Sequence, residues 1–167
     1  MRGRPCSCAF TGHRPGKLPW GEDESDLRCI ALKAKLRAAV ESAIHEGMEH
    51  FICGMAEGCD LYFAETVLAL KSTYPHITLE AAIPCPSPAE GGGEGQKARY
   101  RNILSRCDYE TMVQQSYTPG CMQRRNRYMV DHASLLIAVN DGARGGTRST
   151  IEYAFKRGVN VLDIPLD

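Results

Sequence analysis

Apolar residues along this chain fall into short continuous runs separated by longer stretches in which they recur every third or fourth position. The runs at residues 6–11, 50–53, 77–83, 109–113, 135–140 and 159–164 predict strands. The periodic stretches predict helices over residues 25–45, 60–74, 96–106, 119–132 and 147–157. In the first helix Leu27, Ile30, Ala31, Ala34, Leu36, Ala38 and Ile44 supply the apolar positions, and Ser25 stands where an N-cap belongs. Pro75 breaks the second helix, Pro119 suits the first turn of the fourth, and Gly158 stops the fifth. Strictly alternating strand and helix signals predict an α/β fold with a mostly parallel sheet. No repeat, linker or low-complexity tract divides the chain, so residues 1–167 are expected to form a single domain.

Composition narrows the class. Twenty basic residues balance twenty acidic ones and 43% of residues are hydrophobic, a globular pattern without the basic excess that grips nucleic acid. No apolar run approaches a membrane span, and residues 1–5 lack the apolar core of a signal peptide, which predicts a cytoplasmic protein without a membrane partner. The eight cysteines include no C-x-x-C pair, so neither a zinc site nor any other metal is expected, and the thiols read as reduced and structural. Cys6 and Cys8, two apart in the first strand, share one face. The stretch 84–95 is rich in Pro and Gly and reads as a mobile connection.

In an open parallel sheet ligands bind beyond the carboxyl ends of the strands, where strand order reverses. The loop after the first strand holds Thr11, Gly12, His13, Arg14 and Pro15. The loop after the second holds Gly54, Met55, Ala56, Glu57, Gly58, Cys59 and Asp60, with two glycines four apart at a strand-to-helix junction. The loop after the fifth runs from Asn140 through Gly145, Gly146 and Thr147. Glycine lets backbone approach a ligand closely, and the unpaired N–H groups at a helix start attract anions. Arg14 suits a phosphate clamp, the Thr147 hydroxyl a helix cap or phosphate donor, and Asp60 a helix cap or ribose contact. Glu57 points toward the same site. The segment Gln123-Arg124-Arg125-Asn126-Arg127 adds three arginines that must spread around one helix, as a solvated face or a ligand wall.

Together, Thr11-Gly12-His13-Arg14-Pro15, the Cys53–Asp60 loop, Arg125-Asn126-Arg127 with Val130 and Asp131, and the Gly145-Gly146-Thr147 turn resemble the YpsA-like family of the SLOG superfamily. The resemblance runs from residue 6 to about residue 164. It implies a Rossmann-like three-layer αβα sandwich and binding or sensing of a nucleotide or nucleotide-derived small molecule. Such proteins are linked to cell division and stress response, and a homodimer is implied; no cofactor is. Two alternatives come with the resemblance. The LOG branch contains phosphoribohydrolases that cleave the N-glycosidic bond of a nucleoside monophosphate. Glu57 or Glu152 would carry that chemistry here, although Glu152 follows the glycine turn later than the LOG pattern has it. The DNA-processing protein DprA shares the loop and the Arg-Asn-Arg segment, which implies single-stranded DNA binding through Arg124, Arg125 and Arg127. Gly91-Gly92-Gly93 stands where relatives carry a base-stacking Trp.

Overall fold

The computed structural model describes residues 4–86 and 93–166. Gly91 and Gly92, with half of the Pro/Gly-rich connection (residues 87–92), lie outside the described residues. Six strands, β1 (Ser7–Thr11), β2 (His50–Cys53), β3 (Thr78–Ile83), β4 (Tyr109–Met112), β5 (Leu135–Asn140) and β6 (Asn160–Pro165), form one sheet. Its order is β4-β3-β2-β1-β5-β6, and every pair is parallel. Helices α1 (Leu27–His45), α2 (Cys59–Leu70), α3 (Glu94–Arg106), α4 (Cys121–Asp131) and α5 (Gly146–Lys156) connect them.

The chain steps outward from β1 to β4, returns to β5 on the other side of β1, and ends at β6. Crossovers between parallel strands are right-handed, so connections running in opposite directions place their helices on opposite faces. Accordingly α1, α2 and α3 pack over Phe10, Phe51 and Leu79 on one face, whereas α4 and α5 pack over Ala9, Ile52, Ala82 and Leu136 on the other. The first layer is aromatic, with the Phe10 and Phe63 rings stacked at 4.6 Å. The second is thin, built with Ala133 and Ala154 against alanines of the sheet. Burial on both faces explains why β1 reads as an unbroken apolar run: all five of its residues are buried.

Several local expectations are corrected. The buried stripe of α1 is Cys29, Leu32, Leu36, Val40 and Ala43, while Leu27 is 80% and Ile30 52% exposed. Those two apolar residues lie off the 3.6-residue stripe set by Cys29 and Leu32. Asp26, rather than Ser25, caps α1 by accepting the Arg28 N–H at 2.8 Å, and Ser25 instead donates to Asp23. Pro119 lies ahead of α4, whose first residue is Cys121. Cys6 belongs to a 3₁₀ turn at residues 4–6 rather than to β1. All eight cysteines are free thiols. Among the described residues no helix is long and apolar enough to cross a membrane.

A polar network lies beneath α4. His50 on β2 joins Thr78 Oγ1 through Nδ1 and Glu80 Oε1 through Nε2, each at 2.7 Å. The other Glu80 oxygen accepts from Tyr128 of α4 at 2.7 Å and from Thr111 of β4 at 2.8 Å. Burial alone would push the Glu80 carboxyl up, but these three donors outweigh it and hold it below its usual range.

Candidate functional site

β1 and β5 are the neighbours between which strand order reverses, and a cleft of about 360 Å³ opens at their carboxyl ends. The β1 loop supplies Thr11, Gly12, His13, Arg14 and Lys17 to its walls, the β2 loop Ala56 and Asp60, α4 Met122, Arg125 and Asn126, and α5 Gly146 and Thr147. Ten of the residues singled out from the sequence therefore meet here: Thr11, Gly12, His13, Arg14, Ala56, Asp60, Arg125, Asn126, Gly146 and Thr147.

The β1 and β2 loops are locked together by small residues. A Cβ on Gly12 would lie 2.6 Å from the Cys59 Cβ, and one on Gly58 would lie 2.7 Å from the His13 carbonyl oxygen. That carbonyl accepts the Cys59 N–H at 3.1 Å, so the first amide of α2 is already used. Gly58, at φ +88°, also holds a backbone conformation that favours glycine. Gly54 makes room for a guanidinium: a Cβ there would lie 2.9 Å from Arg125 Cζ. The glycines of the 53–60 loop thus serve close packing with the β1 loop and α4. Met55, at φ +64°, is buried in the core rather than exposed to the cleft. Glu57 is absent from the cleft lining, contrary to its expected direction.

Arg125 is 4% exposed and donates to the backbone carbonyls of Gly54 and Ala82. Burial lowers its pKa, and the charge of Asp60 works against that. Asp60 does not cap α2. Its Oδ2 accepts the Ala56 N–H at 3.0 Å, and Gly58 occupies the N-cap position. Burial pushes the Asp60 carboxyl up to about 6, against the pull of Arg125, the Ala56 N–H and Arg14. The three arginines of α4 diverge: Arg124 reaches Gln114 Oε1 at 3.4 Å, Arg125 points inward, and Arg127 lies over the Tyr153 ring at 5.1 Å.

The amino end of α5 borders the cleft. Gly145, at φ +147°, precedes it, and no side chain caps it. Thr147 is not a cap; its Oγ1 lies 3.5 Å from His13 Nδ1. His13 Nε2 stands 3.0 Å from Asp141 Oδ1, and an ionised carboxylate only accepts, so that nitrogen carries the proton. The Ala143 N–H first and His13 second hold the Asp141 carboxyl below its usual range. Sequence reasoning singled out neither Asp141 nor Lys17. Asp141 directly follows Asn140, and Lys17 lies two residues past Pro15 and donates to the Arg144 carbonyl at 3.2 Å. Asn140 itself turns away: its Oδ1 accepts the Gly142 N–H and its Nδ2 donates to Asp163.

A second groove of about 390 Å³ runs between α4 and α5 and shares Met122, Asn126 and Gly146 with the cleft. Gly145 and Glu152 line this groove rather than the cleft. The Glu152 side chain is 63% exposed and lies 4.0 Å from Arg148. Among the described residues no group of three or more His, Cys, Asp or Glu is placed to hold a metal ion.

Known proteins resemble this chain in sequence or in fold. The YpsA family model, described as the YspA SLOG family, matches residues 8–160. The uncharacterized SPbeta prophage-derived protein YoqJ of Bacillus subtilis is 34% identical over 140 residues, covering 76% of this chain and 82% of that one. A UPF0398 protein of Bacillus pumilus is 28% identical over 161 residues, covering 95% of this chain and 84% of its own. Among solved structures, DNA processing protein A from Helicobacter pylori superposes with a TM-score of 0.64 at 17% identity, over 98% of this chain and 67% of that one. That structure is described for its single-stranded DNA binding mode. DprA from Streptococcus pneumoniae superposes with a TM-score of 0.63 at 16% identity, over 97% of this chain and 51% of that one. At these identities the likeness is one of fold.

Proposed function

The chain belongs to the YpsA SLOG family, and from that premise we propose that its cleft binds a nucleotide or a nucleotide-derived small molecule through a phosphate group. The observation that carries this reading is the uncapped amino end of α5, which lines the cleft together with Arg14 and Lys17. Unpaired helix N–H groups and the helix dipole attract an anion, and a guanidinium pairs with phosphate oxygens in a bidentate manner. Asp60 and Asn126 supply polar contacts for a sugar. The amides of the 53–60 loop contribute less than its glycines suggested, because Cys59 N–H and Ala56 N–H are already paired.

The cleft supports binding rather than hydrolysis. Of the two glutamates that would carry N-glycosidic cleavage, neither Glu57 nor Glu152 lines the cleft, and the carboxyl that does, Asp60, is buried and tied to the Ala56 N–H. The cytoplasmic setting and the homodimer implied by family resemblance are parts of the proposal, the latter checked by light scattering of the purified protein.

The test is thermal unfolding with AMP, ADP-ribose and, as the phosphate-free control, adenosine. At a hundred times the dissociation constant a ligand adds about 2.7 kcal/mol, which raises the melting temperature by roughly 5–10 °C in a domain of this size. AMP and ADP-ribose should give such a shift, adenosine little, and Arg14→Ala should reduce it. If no nucleotide moves the melting temperature, the proposal fails.

A further inference from the structure

Two of the eight thiols meet: Cys85 Sγ points its hydrogen at Cys121 Sγ across 3.9 Å. Both are buried, at 3% and 1% exposure. Cys85 lies two residues beyond β3, and Cys121 is the first residue of α4. The chain ahead of α4 is tied to the end of β3. Val113 N–H donates to the Ile83 carbonyl and Gln114 N–H to that of Pro84, so the approach to α4 runs alongside the end of β3. A disulfide needs its sulfurs about 2.05 Å apart, so closure asks the two sulfurs to approach by roughly 2 Å.

We propose that Cys85 and Cys121 form an oxidisable dithiol, a modification site that closes to an intramolecular disulfide when the protein meets hydrogen peroxide. One thiol loses its proton and its thiolate attacks a peroxide oxygen, forming a sulfenic acid and, with that proton, releasing water. The second sulfur then attacks the sulfenic sulfur, an S–S bond forms, and a second water leaves. Two thiols and one peroxide give one disulfide and two waters, and a dithiol reductant reverses the change. Burial first, and the neighbouring thiol second, push the Cys85 thiol up, so closure is slow at neutral pH and quickens as pH rises. The link bears on the cleft, because Met122 follows Cys121 directly and lines its wall. It also joins residues 36 apart in sequence, which restricts the unfolded chain.

The folded protein is incubated with hydrogen peroxide, quenched by alkylation, and mapped by peptide mass spectrometry. The expected product has lost two hydrogens, carries a Cys85–Cys121 cross-linked peptide, leaves the other six thiols alkylated, and melts on the order of 5–10 °C higher. Reductant returns it to the starting mass. Cys85→Ser and Cys121→Ala, each checked for native circular dichroism, should both abolish the cross-link. Recovery of Cys85 and Cys121 as separate alkylated or singly oxidised residues overturns the proposal. So does a link that forms only in urea, or an unchanged loss of two hydrogens in the Cys85→Ser protein.

Discussion

Asp60→Asn isolates the cost of a buried charge at the floor of the cleft. The Asp60 side chain is almost inaccessible, it accepts the Ala56 N–H, and its carboxyl is pushed up to about 6 from an ordinary 3.8. The folded protein therefore keeps a proton between about pH 4 and pH 6 that the unfolded chain has released. Stability from this group is highest below about pH 4, falls as pH rises through that window, and is level above it. A shift of about 2 pH units at about 1.4 kcal/mol each makes the ionised Asp60 roughly 3 kcal/mol unfavourable at neutral pH, an order-of-magnitude figure. Glu24, Glu80 and Asp108 are held low and tilt the wild-type profile the other way, so the wild type alone does not report on Asp60. The difference between variant and wild type does. The amide introduced by Asp60→Asn mimics the protonated acid at every pH, and any fixed loss from leaving Arg125 without its counter-charge shifts that difference by a constant. Urea unfolding of both proteins from about pH 4 to about pH 7.5 should show the variant gaining roughly 2–3 kcal/mol relative to wild type. A flat difference, or one that falls with pH, would mean that Arg125 more than offsets the burial, and would refute the reasoning.

Three further outcomes follow from the packing. Gly12→Ala drives a methyl group to 2.6 Å from the Cys59 Cβ and 3.0 Å from the Phe10 ring, both fully buried, and should cost about 1–3 kcal/mol in urea unfolding. Gly16→Ala, with nothing within 4 Å, should change stability by less than about 0.5 kcal/mol. Tyr128→Phe removes the 2.7 Å donor to Glu80 and should cost about 1.5–3 kcal/mol near neutral pH. Because Glu80 is held low, its contribution is present above the unfolded carboxyl range and is lost as pH falls through its folded value. The Tyr128→Phe deficit should therefore shrink in acid, measured by the same unfolding curves.

The elements were legible because buried parallel strands write themselves as apolar runs, and β2 and β5 begin and end where those runs do. The cleft was legible because a doubly wound sheet exposes its strand-end loops at one edge, and ten of the singled-out residues line it. What stayed hidden depends on pairs far apart in sequence. Gly54 reads as a ligand glycine until Arg125, 71 positions later, is seen to occupy its space. Asp60 reads as a cap until the turn brings the Ala56 amide to it. Leu27 and Ile30 read as core because a count of apolar positions does not fix the rotation of a helix, which Cys29 and Leu32 decide. Asp141 carries no local signal, since its partner His13 lies 128 residues away.

The His50, Glu80, Thr111 and Tyr128 network acts as a register lock for half the sheet. It ties β2, β3, β4 and α4 through one carboxylate, so each of these elements has a single alignment in which all its partners are met. A slip of β3 by one residue would carry Glu80 through to the opposite face, toward Phe51 and Phe63, with no donor for its charge. Parallel strands have no hairpin turn to set their alignment, and β4 is a short, exposed edge. In this fold the error-checking of strand alignment is done by a buried acid that tolerates one set of neighbours, and the geometry of the cleft at the far end of those strands inherits its accuracy.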